Sequence, residues 1–229
     1  MTLIPQLHTD LRRTRVTRRG AAKVSKTRRS HKKYPRLPNL ILPAPHAISL
    51  SPPADPEGHQ AAKNSRGKFS LETCGALLGV SLKTQGDPAK RPYPSKQDLY
   101  PVETYLITTA IEGTPPGVFH YDPDSHTLET LTTLPVGFPI NDLVHRKDTV
   151  FHSLIVFTAL WGLSLPRHGD FAYILALIEA GHMSQNILLA ADVLLLTARP
   201  TSTFDDDAIA ELLDIDMDQE QPIHAIYLC

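Results

Sequence analysis

Residues 170–196, DFAYILALIEAGHMSQNILLAADVLLL, read as one helix. At ~1.5 Å per residue it would run roughly 40 Å. Its apolar residues leave no broad polar face, which predicts burial nearly all round. Yet Glu179, His182, Gln185 and Asn186 sit in its middle, and Glu179, His182 and Asn186 recur at i, i+3 and i+7 along one stripe. Buried polar side chains cost free energy unless they find partners. Another subunit, a bound ligand, neighbouring backbone or ordinary core hydrogen bonds could each supply them.

The segments around this helix predict an α+β body. Ser70 is a good cap for a helix over LETCGALLG, with Glu72 and Thr73 in its first turn. RPYPSKQDLYP, residues 91–101, is a loop stiffened by three prolines. Residues 102–110 are strand-like, 118–121 and 127–131 form a hairpin, and 153–160 read as a buried strand. A loop over 197–203 leads into FDDDAIAELL, whose aspartates favour a helix start running through Leu213, and residues 222–228 close as a strand.

Composition narrows the class. The 229 residues carry nearly balanced charge, but residues 1–36 hold 12 of the 23 Lys and Arg against one acid, Asp10. A basic leader is therefore joined to an acidic body. A nucleic-acid arm or an organellar transit peptide would be Arg-rich and acid-poor in this way. The body is acidic and no aromatic residue is interleaved before Tyr34, which argues against nucleic acid. The plainer expectation is an extension that packs on its own acidic body or on a partner. A proline-rich connector, YPRLPNLILPAPHAISLSPPADPE, should then run extended over a surface. The expected organisation is an extension over residues 1–58 and a folded domain over 59–229. Two cysteines without metal-ligand spacing argue against a zinc site or a disulfide framework. No secretory signal opens the sequence, and the polar centre of the long helix would be costly in lipid, so a soluble cytoplasmic protein is expected.

Several stretches in order, RPYPS…LYPVETYL, GTPPGVFHYDPDSHTLETL, EAGHMSQNILLAAD and FDDDAIAELLDID, together resemble the nitroreductase-fold flavin dehydrogenases of the SagB type. Members of that family oxidise thiazolines and oxazolines in ribosomal peptide natural products. The likeness covers roughly residues 60–228 and extends to the proline-rich leader. It implies a nitroreductase-like α+β fold, an antiparallel-rich sheet flanked by helices, and a long dimer-interface helix. It also implies an obligate homodimer with FMN at the subunit seam, a peptide substrate and a cyclodehydratase partner.

Carried over residue by residue, the resemblance places Lys63 and Ser65 on the flavin phosphate, with Arg66 and Lys68 as helpers. It places Pro94, Ser95, Lys96 and Gln97 near the isoalloxazine ring, and Gln185 and Asn186 on the interface and flavin side of the helix. The family follows its Ser with two glycines and a small residue, where this chain has Lys96, Gln97 and Asp98. It has glycines before its Phe-Asp pair, where Thr201 to Thr203 stand, and charged and glycine residues where Phe171, Ala172 and Ile174 stand. Many nitroreductases also carry a basic phosphate-binding residue near the C-terminus, and this sequence reaches Cys229 without one. A catalytic Lys-Tyr pair corresponds to Arg167 and His168. Arginine stays protonated, whereas a histidine with an ordinary pKa near 6.5 can act as a general base. Two readings follow: an FMN oxidoreductase using His168, or a scaffold protein that kept the fold and lost its chemistry.

Overall fold

The structure is a computed structural model and describes residues 31–45, 69–86, 90–145 and 150–229. Seven strands form one antiparallel sheet: β1 (Asn39–Ile41), β2 (Val102–Thr108), β3 (Gly117–Asp122), β4 (Thr127–Thr133), β5 (Ser153–Leu160), β6 (Ala198–Thr201) and β7 (Glu220–Leu228). Their order across the sheet is β1-β4-β3-β2-β5-β7-β6. Among the described residues four helices accompany them: α1 (Leu71–Leu82), α2 (Trp161–His168), α3 (Phe171–Val193) and α4 (Asp206–Leu213).

Alternation along the strands divides the core in two. Val102 and Leu106 of β2 face the layer holding α1 and α3, with Phe119, Tyr121, Ile155 and Phe157. Tyr105 and Ile107 face the other layer, where α4 and the turn Ile140–Leu143 lie. The α1 cap forms as the sequence implies, with Ser70 Oγ accepting the Thr73 N–H at 3.2 Å. Asp205 caps α4 in the same way, accepting the Ala208 N–H at 2.9 Å.

The long helix departs from expectation in one respect. It is buried along one stripe, not all round: Ala172, Ala176, Glu179, Ala180, Met183, Ser184, Ile187, Ala190 and Ala191 face inward. Ile178 is half exposed on its other side, and Tyr173, at the flank of the stripe, packs its ring against Trp161 of α2 at 6.1 Å. The alanines let the helix axis sit close to the sheet and α1. By length and composition α3 could cross a bilayer, but here it packs on α1, α2, β6 and β7.

Three elements lie where loops are expected. The helix α2 follows directly on the expected strand and takes in most of the expected linker at 166–169, with Pro166 inside it. Gly169 ends it at φ +57°, a conformation suited to glycine. Edge strand β6 pairs with β7 despite Pro200, which an edge position tolerates. Strand β1, inside the proline-rich connector, pairs with β4. Beyond it the connector crosses α1 so closely that a Cβ on Gly75 would lie 2.8 Å from the Pro43 carbonyl oxygen, and one on Gly79 2.8 Å from Pro45. The helix carries glycine at both crossings because nothing larger fits.

The end of the basic leader packs on the acidic body. Lys32 Nζ lies 2.7 Å from Glu220 Oε2 and donates to Tyr105 Oη at 3.1 Å. The Lys32 and Tyr34 amides donate to Glu103 and Glu129 at 2.9 and 3.0 Å. His31 reaches Asp122 at 3.0 Å. Beneath this strap His120, fully buried, bridges Glu129 at 2.7 Å and Glu103 at 3.1 Å. Glu220 also accepts from Tyr105 at 2.8 Å and Thr158 at 2.6 Å. Burial works against the charge on His120, but its bonds to Glu103 and Glu129 outweigh that and raise its pKa from 6.5 to about 9. Burial likewise pushes Glu103 upward, and the His120 bond and charge hold it below its usual value.

Replacing Lys32 with Met leaves Glu220 buried without its cation, which should cost about 3 kcal/mol. The urea midpoint reports this, and a midpoint equal to the parent's would show the strap to be dispensable. His120 gives a pH signature. Its folded pKa lies above the unfolded one, so its contribution is complete below pH 6.5 and lost as pH rises through about 9. Thermal stability should fall across that window, and the step should vanish in His120→Gln; a step that survives belongs to another group.

Candidate active site

Two polar residues of the α3 stripe grip the proline-stiffened loop before β2. Asn186 donates from Nδ2 to the Pro92 carbonyl at 3.0 Å and to the Ser81 carbonyl at 3.2 Å. Ser81 returns a bond from Oγ to the Asn186 carbonyl, also at 3.2 Å, which ties the end of α1 to the same turn. Two turns earlier, Glu179 accepts the Val102 N–H at 3.4 Å. The i, i+7 spacing therefore places one polar group at each end of the loop.

Inside the loop Ser95 Oγ also accepts the Tyr100 N–H at 2.9 Å. Tyr93 and Tyr100 meet edge to face at 5.7 Å, and the Arg91 guanidinium stacks over Tyr100 at 4.9 Å while donating to the Tyr93 hydroxyl at 2.9 Å. Behind the loop a cavity of about 320 Å³ opens toward the strap, lined by Arg91, Leu99, Tyr100, Thr84, His31 and Asp124 among others.

The backbone of this loop is unusual. Gln97, Asp98 and Tyr100 have φ values of +59°, +53° and +50°. A non-glycine residue in the left-handed region costs about 1–2 kcal/mol. The family's glycines correspond to Lys96 and Gln97, and the left-handed turn stands here without glycine, beginning at Gln97. The Thr201 to Thr203 departure is handled differently. None of these residues has positive φ, and Thr201 Oγ1 accepts the Thr203 N–H at 3.2 Å in a hydroxyl-capped turn.

Electrostatics single out Glu179, which is only 3% exposed. Burial pushes its carboxyl up to about 7, opposed by the Ser95 bond, the Arg91 charge and the Val102 amide. Burial alone would lower Arg91, but Tyr93, Glu103 and Glu179 outweigh it and keep the guanidinium protonated.

The sequence-derived site residues divide into three groups. Pro94, Lys96 and Gln97 are exposed on the loop and Ser95 is half-buried, with Asn186 bonded to the loop's beginning and Gln185 exposed on the next position of α3. Arg167 and His168 are half-buried at the end of α2. That end of α3 lies roughly 13 Å along the axis from Glu179 and roughly 24 Å from Asn186, at ~1.5 Å per residue. Within one chain the structure does not bring the pair to the loop. Lys63, Ser65 and Arg66, with Lys68, lie outside the described residues. Two loop-holding residues, Glu179 and Arg91, were not among the candidates. A signal for Glu179 was present in its place on the polar stripe, but periodicity does not say which member of a stripe turns inward.

Comparison with known proteins places this geometry. The pattern of the nitroreductase family matches residues 68–228. The microcin B17-processing protein McbC of Escherichia coli is 29% identical over 167 residues, covering 69% of this chain and 61% of McbC. The chain spans about three fifths of the length of the curated relatives it matches. Among solved structures, the E. coli microcin synthetase McbBCD complex with truncated pro-MccB17 bound contains a chain similar at TM-score 0.66 and 22% identity, covering 100% of this chain and 97% of that one. A protein of Anabaena variabilis assigned as a nitroreductase reaches TM-score 0.72 at 20% identity, covering 96% of this chain and 45% of its own. These likenesses agree on the fold, and the match over residues 68–228 settles its membership: the chain belongs to the nitroreductase family.

Proposed function

We propose that this protein is an FMN-dependent oxidoreductase that dehydrogenates thiazoline or oxazoline rings in a peptide. The observation that carries this reading is the Ser95–Tyr100 loop. It keeps a left-handed backbone at Gln97 and Asp98 without glycine, and α3 holds it at both ends through Asn186 and Glu179. Strain of this kind persists where the surroundings over-determine it, as at ligand clamps. The identity with the microcin B17-processing protein McbC supports a processed peptide as substrate, and the SagB-type resemblance adds a cyclodehydratase as partner.

The donor set of the loop suits the edge of a flavin. It offers exposed backbone at Pro94, Lys96 and Gln97 and the hydroxyl of Ser95, which are groups able to bond ring nitrogens and carbonyls. Bound there, FMN would supply a two-electron acceptor. Lys63 and Ser65, with Arg66, would hold its phosphate by charge-assisted bonds worth about 1.5–3 kcal/mol each.

Aromatisation of the ring removes one hydride and one proton from carbon. An imidazole nitrogen of His168 accepts the proton, and Arg167, always cationic, stabilises negative charge that develops beside it. In one chain the end of α3 that follows His168 lies roughly 13 Å along the axis from Glu179, the residue that meets the loop. The active unit is therefore a homodimer in the cytoplasm, in which a second copy brings its own α2 end toward the loop. The half-exposed Ile178, with the exposed His182 and Gln185 on the same outer side of α3, gives the surface for that contact.

Purified protein should be yellow and release FMN on denaturation; colourless protein that gains no spectrum on adding FMN would refute the cofactor. His168→Ala should keep its flavin and lose dehydrogenation of an azoline peptide by about 10²-fold or more, and unchanged turnover would remove His168 from the mechanism. Lys63→Ala combined with Ser65→Ala should weaken FMN retention by at least about tenfold, the loss of one good charge-assisted bond. Equal occupancy after gel filtration would place the phosphate elsewhere.

A further inference from the structure

The face of the sheet turned away from α3 carries an open groove of about 500 Å³ that no reaction step above uses. Leu37, Leu131 of β4 and Leu213 of α4 line it, the last two as part of the core layer on the α4 side. Lys33 and Arg36 stand at its rim, both exposed. Lys33 Nζ lies 3.6 Å from Asp122, and Arg36 takes part in none of the ion pairs among the described residues. Asp214 is the acid among the lining residues.

Two residues past Leu37 the chain enters β1, an edge strand of the sheet. The Pro38 carbonyl accepts the Thr130 N–H at 2.8 Å and the Leu42 N–H donates to the His126 carbonyl at 3.2 Å. By alternation the N–H and C=O groups of Asn39 and Ile41 point off the edge. Ile41 turns its side chain to the groove's side of the sheet, because Leu40 before it packs on the opposite core layer. It is 79% exposed, although edges are ordinarily covered or charged.

We propose that this groove and the β1 edge together dock an extended, acidic and apolar segment of the peptide substrate, outside the ring that is oxidised. That the occupant belongs to the substrate rests on the functional reading above. Backbone pairing with Asn39 and Ile41 sets the segment's register, an apolar side chain fills the groove, and carboxylates lie beside Lys33 and Arg36. Charge selects the acidic class. Residues 37–229 hold about two acids for each Lys or Arg, so most of the body repels an acidic segment and the groove's rim attracts it.

A short fluorescein-labelled peptide of alternating Glu and Leu, titrated with the full chain and followed by anisotropy, tests this. It should bind, and high salt should weaken it. Arg36→Glu should weaken binding several-fold and give the matching Lys–Leu peptide a several-fold gain. Asp214→Asn removes the opposing charge and should tighten binding of the Glu–Leu peptide; asparagine suits the left-handed backbone at this position, φ +52°, so the turn is kept. Joined to an azoline peptide, the Glu–Leu segment should lower KM several-fold with kcat unchanged. Arg36→Glu should cancel that gain while turning over the short azoline peptide as the parent does. No binding, binding indifferent to both charge variants, or binding without effect on KM overturns the proposal. If no azoline peptide is oxidised, the functional reading fails and the anisotropy measurements decide the groove by themselves.

Discussion

One buried carboxyl connects the three parts of this molecule that must agree. Glu179 lies on the inward stripe of α3, at the start of β2 and under the loop that precedes it. Taking a carboxylate out of water is costly unless hydrogen bonds and a cation replace its hydration. Here the Val102 amide, Ser95 and Arg91 are the replacements, and each belongs to the chain leading into β2. The same bonds that make Glu179 tolerable therefore fix the loop on the helix. Left-handed residues at Gln97, Asp98 and Tyr100 cost free energy individually, so a loop without glycine keeps its path only if its ends are held. Asn186 supplies the second anchor at Pro92.

The opposite face of the sheet solves a different electrostatic problem. Glu103, Glu129 and Glu220 are buried there, with His120 the buried cation between the first two. Among the described residues Glu220 gains its cation from Lys32, and the backbone amides of Lys32 and Tyr34 cover Glu103 and Glu129. The end of the basic leader is thus part of the folding chemistry of the body. Glu103 touches both systems: it is bonded to His120 on one face and lies in the field of Arg91 at the loop.

Much of the architecture was legible because its signals are long or local. The α3 helix, the cap at Ser70, strand β5 and the aspartate-led α4 each carry a pattern that holds whatever the tertiary context. The elements that escaped were short or contained proline. Pro166 inside α2 and Pro200 in β6 argue locally against regular structure, and only the neighbours, Gly169 after α2 and β7 beside β6, make them acceptable. The acidic body and basic leader announced their attraction through composition. That Lys32 would meet Glu220, 188 positions away, could not be read from sequence, because register across a sheet depends on how the strands pair. The site was partly legible for a related reason. The resemblance pointed to Ser95 and Asn186, which the structure ties to one loop, while Glu179 stood out only as a member of a stripe.

That stripe is where sequence and structure teach most about each other. Residues at i, i+3 and i+7 on a helix share a face, but a face has two flanks. Glu179 and Asn186 turn toward the loop, while His182 and its neighbour Gln185 remain exposed. A helix whose polar residues served only core hydrogen bonds would have no reason to leave two of four outside. A helix made for a partner alone would not bury a carboxyl. The division leaves Glu179 and Asn186 holding the loop from within, and His182 and Gln185 exposed beside the half-exposed Ile178 from without. In the homodimer proposed above, His168 sits at one end of this helix and Ser95 near its middle, and the outer face is the surface across which the second copy brings them together.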